Sequence, residues 1–383
     1  MLRFLTAGES HGPGLVAIVE GMPAGLAVSR DRLGLELARR RLGFGAGKRM
    51  DIEKDELELL GGVRFGKTLG SPIAVLIRNT EWPRWQEEMS PEPGSSRRPL
   101  TTPRPGHADL AGMIKYDTRD ARNILERASA RETAARTVVG YLAKELLAAI
   151  DIHVVSHVVA IGDVAAPGDS VPGPEDAEKI DGSPVRVLDT RAEQAMVAAI
   201  EAAKADRNTL GGVFEVIVHG LPVGVGSHVH WDRRLDGALA QAMMSIQAIK
   251  GVEIGDAYAV AAGPGSDAHD EIYHDGEAFI RRTNRAGGIE GGMSIGGPVR
   301  VRAAMKPIST VMRPLDTVDV ISKDEEKAFR ERSDVCAVPR AAVVGEQMAA
   351  YVIAREVQRK FGGDTVGDLR AALAAYRKRI ADF

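Results

Sequence analysis

The sequence predicts an α/β protein of α+β type. It reads as a single domain over residues 1–383 with two similar halves, about 1–150 and 209–362, and an intervening segment 151–208. Three observations predict this. The run Gly14-Leu-Val-Ala-Ile-Val-Glu-Gly21-Met-Pro23-Ala-Gly25 reappears as Gly212-Val-Phe-Glu-Val-Ile-Val-His-Gly220-Leu-Pro222-Val-Gly224, a β-rich stretch entering a Gly-x-Pro-x-Gly turn each time. A Gly-Gly pair, a proline and β-branched residues follow in each half, at Gly61–Val75 and Gly291–Val301. Each half also has a helix-period segment after its turn and closes on an alanine-rich helix. Gly-x-Pro-x-Gly alone is common turn chemistry, but the shared order of features reads as a repeat of roughly four strands plus two helices.

The elements follow in order. Arg30–Leu42 reads as a helix with Leu33, Leu37 and Leu42 on one side and Ser29 as its N-cap. Glu81–Gly106 carries Pro83, Pro91, Pro93, Pro99, Pro103 and Pro105 and no periodicity. A connection of that length inside a domain reads as a mobile flap. Arg122–Ile150 reads as helix, Ile152–Ile161 as strand, Ala165–Ser183 as a surface loop and Arg191–Ala205 as an amphipathic helix. In the second half, Arg233–Ile249 sets Leu235, Leu239, Met243 and Ile246 at helical spacing, and Ala341–Phe361 is the closing helix.

Composition narrows the function. Charged residues at 27% and hydrophobic residues at 44% are ordinary for a soluble globular protein. A net charge of −3 with 4% aromatics argues against a nucleic-acid binder. The one cysteine, Cys336, can form neither an internal disulfide nor a thiolate cluster, which points to a reducing cytoplasm. Glu9 and His11 interrupt any signal-peptide apolar core, and no apolar run is long enough for a membrane span. No metal is expected, because His228-x-His230 has nothing near it to complete a ligand set. A Ser/His/Asp hydrolase elbow and a Rossmann glycine fingerprint are both missing.

Two histidines in glycine frames carry the chemistry: Ala-Gly-Glu-Ser-His-Gly (Ala7–Gly12) and Arg-Pro-Gly-His-Ala-Asp (Arg104–Asp109). Glycine lets backbone approach a ligand closely, and histidine is readily poised as acid or base near neutral pH. Asp109 either orients the His107 ring or caps the helical turn that follows. Arg332-Ser-Asp-Val-Cys-Ala-Val-Pro339 adds Arg332 and Asp334. Arg39, Arg40 and Arg41 end a helix, where at least one suits a solvated basic end. Arg49 follows a glycine-rich turn that lacks a P-loop ending, Arg104 sits among prolines, and Arg131 has Glu132 and Arg136 beside it for a structural ion pair. Arginine forks match carboxylates and phosphates, so these residues suit a substrate with several anionic groups.

The chain resembles the chorismate synthase family from end to end. The resemblance rests on Thr6–Gly12, Thr102–Asp109, Glu126–Thr133, Gln247–Asp256, Asn284–Gly292, Met305–Thr310 and Arg332–Pro339. It implies helices packed between two antiparallel four-stranded sheets. It implies a 1,4-elimination of phosphate from 5-enolpyruvylshikimate 3-phosphate to give chorismate, the last common step of the shikimate pathway to aromatic amino acids. The reaction has no net redox change but requires reduced FMN. By the same resemblance His11 protonates the departing phosphate, His107 sets protonation near flavin N1 and its C2 carbonyl, and Asp334 manages the proton at N5. Ser10, Arg40, Arg49, Arg104, Arg131 and Arg332 are then substrate residues. Arg127, Ala128, Ser129, Gln247, Ala248, Gly291, Lys306, Pro307, Ile308, Ser309, Thr310 and Arg332 are flavin residues. A homotetramer is implied too. One departure stands out: Ala46 occupies a position where relatives often carry arginine, linked to NADPH or substrate contact. It predicts dependence on an external flavin reductase, since Lys48 could replace that arginine only as a point charge.

Overall fold

Alternation with a period of two builds the sheets. Leu15, Ala17 and Val19 point inward from one strand, Ile73, Val75 and Ile77 from its neighbour, and Phe214, Val216 and Val218 from a strand of the second sheet. The computed structural model describes residues 2–46, 55–168, 171–329 and 334–383. The first sheet is antiparallel, with β1 (Arg3–Ala7), β2 (Gly14–Glu20), β3 (Glu56–Gly61) and β4 (Ile73–Arg78) in the order β1-β2-β4-β3. The second holds β5 (His153–Ile161), β6 (Val164–Ala165), β7 (Gly212–His219), β8 (Ile249–Ile254) and β9 (Val299–Met305) in the order β8-β9-β7-β5-β6, also antiparallel. It has five strands where four were expected, because the chain folds back after β5 at Gly162 to add the two-residue β6. The strand read at Ile152–Ile161 is β5, so this part of the intervening segment pairs with the second half.

Among the helices of the described residues, the eight that matter here are α1 (Arg30–Arg41), α2 (Asp109–Lys115), α3 (Arg122–Ala128), α4 (Thr133–Ala148), α5 (Thr190–Ala205), α6 (Leu235–Met244), α7 (Val338–Phe361) and α8 (Val366–Ala381). The alanine-rich α4 and α7 are buried nearly all round, as a helix without a polar face must be. They pack on each other, α4 against β2 and α7 against β5 and β7. Gly140 sets their spacing, since a Cβ there would lie 2.2 Å from that of Gln347. Leu235, Leu239, Met243 and Ile246 are all buried, although α6 ends at Met244.

Three expectations are corrected. Leu42 is exposed, and the third inward position of α1 belongs to Arg40. The helix read over Arg122–Ile150 is broken at Ser129, whose extended backbone and side chain cap a short 3-10 turn, Ala130–Glu132. The basic end of α1 is not solvated: Arg39 reaches Asp181, Glu36 and the buried Glu346 at 2.6–2.8 Å. Burial pushes the Glu346 carboxyl up, but Arg39, Lys144 and Arg186 outweigh it and hold the group well below the usual range.

Candidate active site

The β1–β2 connection, residues 8–13, carries His11. Gly8 has φ +101°, and a Cβ there would lie 2.2 Å from the Gly14 carbonyl oxygen, so only glycine closes this loop. Asn79, at the end of β4, clasps the loop by donating to the Glu9 and Gly12 carbonyls at 3.0 and 2.8 Å. Glu126 of α3 completes the grip. It accepts the His11 backbone N–H at 2.8 Å and lies 2.8 and 2.9 Å from ring Nδ1. The residue is 8% exposed, and its ring stacks on Trp85 of the proline-rich connection, centroids 4.0 Å apart. Arg122, one helical turn before Glu126, donates to it at 3.0 Å and lies over Trp85. Burial pushes the Glu126 carboxyl up, but His11 and Arg122 outweigh it and hold the group below its ordinary value.

His107 has a parallel arrangement. Its Nδ1 lies 2.5 Å from Asp109 Oδ1, and the other Asp109 oxygen accepts from Arg104 Nε at 2.9 Å. Asp109 is fully buried and makes no cap bond at the start of α2, so of its two readings the ring-orienting one holds. Burial pushes its carboxyl up, but His107 and Arg104 outweigh this and take it to about 2. The segment after β9 closes over this site. Lys306 Nζ donates to the Gly106 carbonyl, Arg104 reaches Thr310 Oγ1 at 3.4 Å, and Phe329 lies under the Arg104 guanidinium.

Helix α3 joins the two sites. Glu126 and Arg122 serve His11, while Leu125 enters a small apolar cluster with Met113, Ala121 and Val320, against which Leu100 and Phe329 pack. Ser10 bonds Ser129 at 3.3 Å and the Glu126 carbonyl at 3.0 Å, and Arg127 donates to the Gly8 and Thr6 carbonyls. The break at Ser129 makes this possible, because a continuous helix would carry Ser129 on around the axis and away from the loop. Gln247 reaches Glu132 at 3.3 Å, and Ala248, at φ +65°, accepts from the Lys306 backbone N–H. Ile308 accepts from Thr209 Oγ1, and the next residue, Leu210, donates to the Val335 carbonyl, so one short stretch bonds both segments. Asp334 pairs with Arg340 of α7.

The arginines divide. Arg104 belongs to the His107 site. Arg131 donates to Asn79 at 3.1 Å and to Asp55 at 2.6 Å, and Arg40 lies 3.9 Å from Asp55, so these two converge on one buried carboxylate near the His11 loop. The hairpin carrying Gly291 is bonded elsewhere, against Ser227 and Leu235. Arg49, Arg332 and Lys48 lie outside the described residues. Glu126, Trp85, Asn79 and Asp55 were missed as site residues. Glu126 opens a quoted motif, and a tryptophan inside a proline-rich flap is the signal that could have flagged Trp85. Among the described residues no group of His, Cys, Asp and Glu could hold a metal ion, and no helix is long and apolar enough to cross a membrane.

Two histidines, each fixed by a buried carboxylate, lie on this α/β scaffold, with Arg122 beside the first pair and Arg104 and Lys306 beside the second. The family model described as chorismate synthase matches residues 2–357. Curated relatives named chorismate synthase include that of Acidothermus cellulolyticus, 59% identical over 98% of both chains. That of Mycobacterium avium is 56% identical over 100% of this chain and 98% of its own. A crystal structure titled chorismate synthase superposes with TM-score 0.81 at 42% identity, covering 100% of this chain and 99% of that one. The chain belongs to the chorismate synthase family.

Proposed function

We propose that this protein is an enzyme that eliminates phosphate from 5-enolpyruvylshikimate 3-phosphate to form chorismate, as a phosphate-eliminating lyase requiring reduced FMN. The observation that carries it is the pair of histidines, each bonded through Nδ1 to a buried carboxylate, Glu126 of α3 and Asp109 of α2, within a chain whose family is established. In the net reaction the C–O bond to phosphate breaks with its electron pair, a ring C–H loses its proton, and the electrons left behind form the new double bond.

The residues present fit an anionic flavin. Gln247 donates its amide to Glu132, which identifies the other amide atom as oxygen; that Oε1 is buried without a hydrogen-bond partner among the described residues, a place for a ligand N–H. Lys306 supplies a positive charge beside His107. Ala248 holds left-handed backbone, a strain that collects at ligand sites. Arg127, Ala128, Ser129, Gln247, Ala248, Gly291, Lys306–Thr310 and Arg332 would hold the flavin. Bound reduced FMN supplies the electron-rich ring that this redox-neutral elimination needs. His11 holds the proton for the leaving phosphate, His107 holds a proton next to the flavin site, and Asp334 receives one. Ser10, Arg40, Arg49, Arg104, Arg131 and Arg332 bind phosphate and carboxylates.

The finer architecture belongs to the same reading. Strand orders β1-β2-β4-β3 and β5-β7-β9-β8 coincide, α1 and α6 follow corresponding strands, and α4 and α7 close the halves. This supports a pseudo-repeat within one domain; failure of the halves to superpose would end it. Exposed Leu5, Ile18 and Leu60 on the first sheet support a homotetramer, checked by light scattering. The buried Cys336 thiol agrees with a cytoplasmic setting. Ala46 supports reliance on an external flavin reductase, and NADPH-driven turnover by pure protein with oxidised FMN, without air, would overturn that.

The deciding experiment mixes protein, photoreduced FMN and 5-enolpyruvylshikimate 3-phosphate anaerobically. Phosphate and the chorismate diene should rise one-to-one, with neither formed when FMN stays oxidised. Phosphate without diene would mean a hydrolase.

A further inference from the structure

His11 is held by Glu126 and Trp85. Glu126 places both carboxylate oxygens within 2.9 Å of Nδ1 and also accepts the His11 backbone N–H, so ring and loop are fixed by one side chain. Trp85 stacks on the ring, and Arg122 braces Glu126 from the preceding turn. An ionised carboxylate can only accept hydrogen bonds. Nδ1 therefore carries hydrogen whatever the ring's charge, and Nε2 is the one ring nitrogen left for a ligand.

We propose that Glu126 is a positioning residue for the reaction: it fixes the Nδ1–H form and the plane of His11, so that Nε2 delivers the proton to the departing phosphate. The proposal rests on the assignment of His11 as the acid. In that step the Nε2–H bond breaks, its proton goes to a phosphate oxygen, and phosphate leaves with the C–O electron pair. The ring is left neutral with hydrogen on Nδ1. That is the form Glu126 already binds, so the histidine need not rotate or change tautomer between its two states. Glu126 stays ionised throughout, with Arg122 beside it. A carboxylate that orients a histidine and stabilises its charged form without taking its proton is an established device in acyl transfer. Here it sits on a helix one turn from the arginine that braces it.

Two measurements test this together. In protein labelled with ¹⁵N-histidine, the His11 resonances, assigned by their loss in His11→Ala, should report hydrogen on Nδ1. An Nε2–H form in the wild-type protein overturns the proposal, even if Glu126 variants fail to fold. In anaerobic turnover, Glu126→Gln should lower kcat by about 10²–10³ with KM within about threefold, and Glu126→Asp should recover at least about tenfold of that loss. In a His11→Ala background, Glu126→Gln should change kcat less than about twofold, because residues acting as one unit are not additive. A full additional loss there overturns the proposal and leaves Glu126 a structural residue. If His11→Ala itself leaves turnover intact, the acid assignment fails, and the tautomer measurement shows separately whether Glu126 orients the ring.

Discussion

The two histidines share one device and differ in their surroundings. Each bonds through Nδ1 to a buried carboxylate, Glu126 for His11 and Asp109 for His107. His11 is closed in under Trp85, and its carboxylate is braced by Arg122. His107 is more open, and its carboxylate is shared with the buried Arg104, while Lys306 binds the adjacent carbonyl. On the proposed reading, a covered imidazole with one carboxylate suits delivery of a single proton. An imidazole among fixed cations suits a neighbour that is itself anionic. The difference is set by what packs over each ring.

Removing either ring is the largest break in this comparison. His11→Ala and His107→Ala should each lower anaerobic turnover by about 10²–10⁴, the worth of a placed acid or base. Flavin titration should show binding retained in His11→Ala, because the proposed flavin residues do not include His11. Loss of binding there would merge the two sites.

Asp109→Asn comes next. It removes the buried carboxylate that Arg104 and His107 share and should cost about 3–5 kcal/mol in urea unfolding. The pH dependence has a definite sign. The Asp109 carboxyl is depressed from 3.8 to about 2 in the folded protein, so its contribution is fully present above about pH 4 and is lost as pH falls towards 2. The difference in stability between wild type and Asp109→Asn should therefore shrink by about 2 kcal/mol over that window. A constant difference would mean that Asp109 contributes by packing alone.

Trp85→Ala uncovers His11 and leaves His107 as it is. An aromatic stack contributes about 0.5–1.5 kcal/mol, so kcat/KM should change by up to about tenfold. Hydrogen exchange at residues 9–12 should rise with no change at 104–109. Equal effects on both segments would show that the connection covers the two sites as one lid. The smallest expected effect is at Cys336, where burial pushes the thiol up to about 11. It should resist thiol reagents at pH 8 until the chain unfolds; ready labelling of the folded protein would show that the segment beside Asp334 opens.

The sequence by itself determined the central strands, most of the helices and the family. Those depend on local signals: period-two alternation in Leu15–Val19 and Phe214–Val218, turn chemistry at Pro23 and Pro222, and ordered motifs around His11, His107 and Asp334. It also showed that Asp109 could serve His107, since the two lie within one turn of chain. What only the tertiary structure decided is long-range. Glu126 meets His11 across 115 residues, Lys306 meets Gly106 across 200, and Arg39 finds Glu346 across 307. No periodicity encodes such pairs, because they depend on how helices stack and on where one helix breaks. The break at Ser129 shows this most clearly: sequence propensity favours continuous helix through an alanine-rich run, and the cap and the contact with Ser10 override it. Arg40 shows the same in reverse. One of three arginines at a helix end where at least one was expected in solvent, it becomes a buried residue of α1 because Asp55 and Thr133 arrive opposite it, and a charge is kept in the interior only where partners meet it.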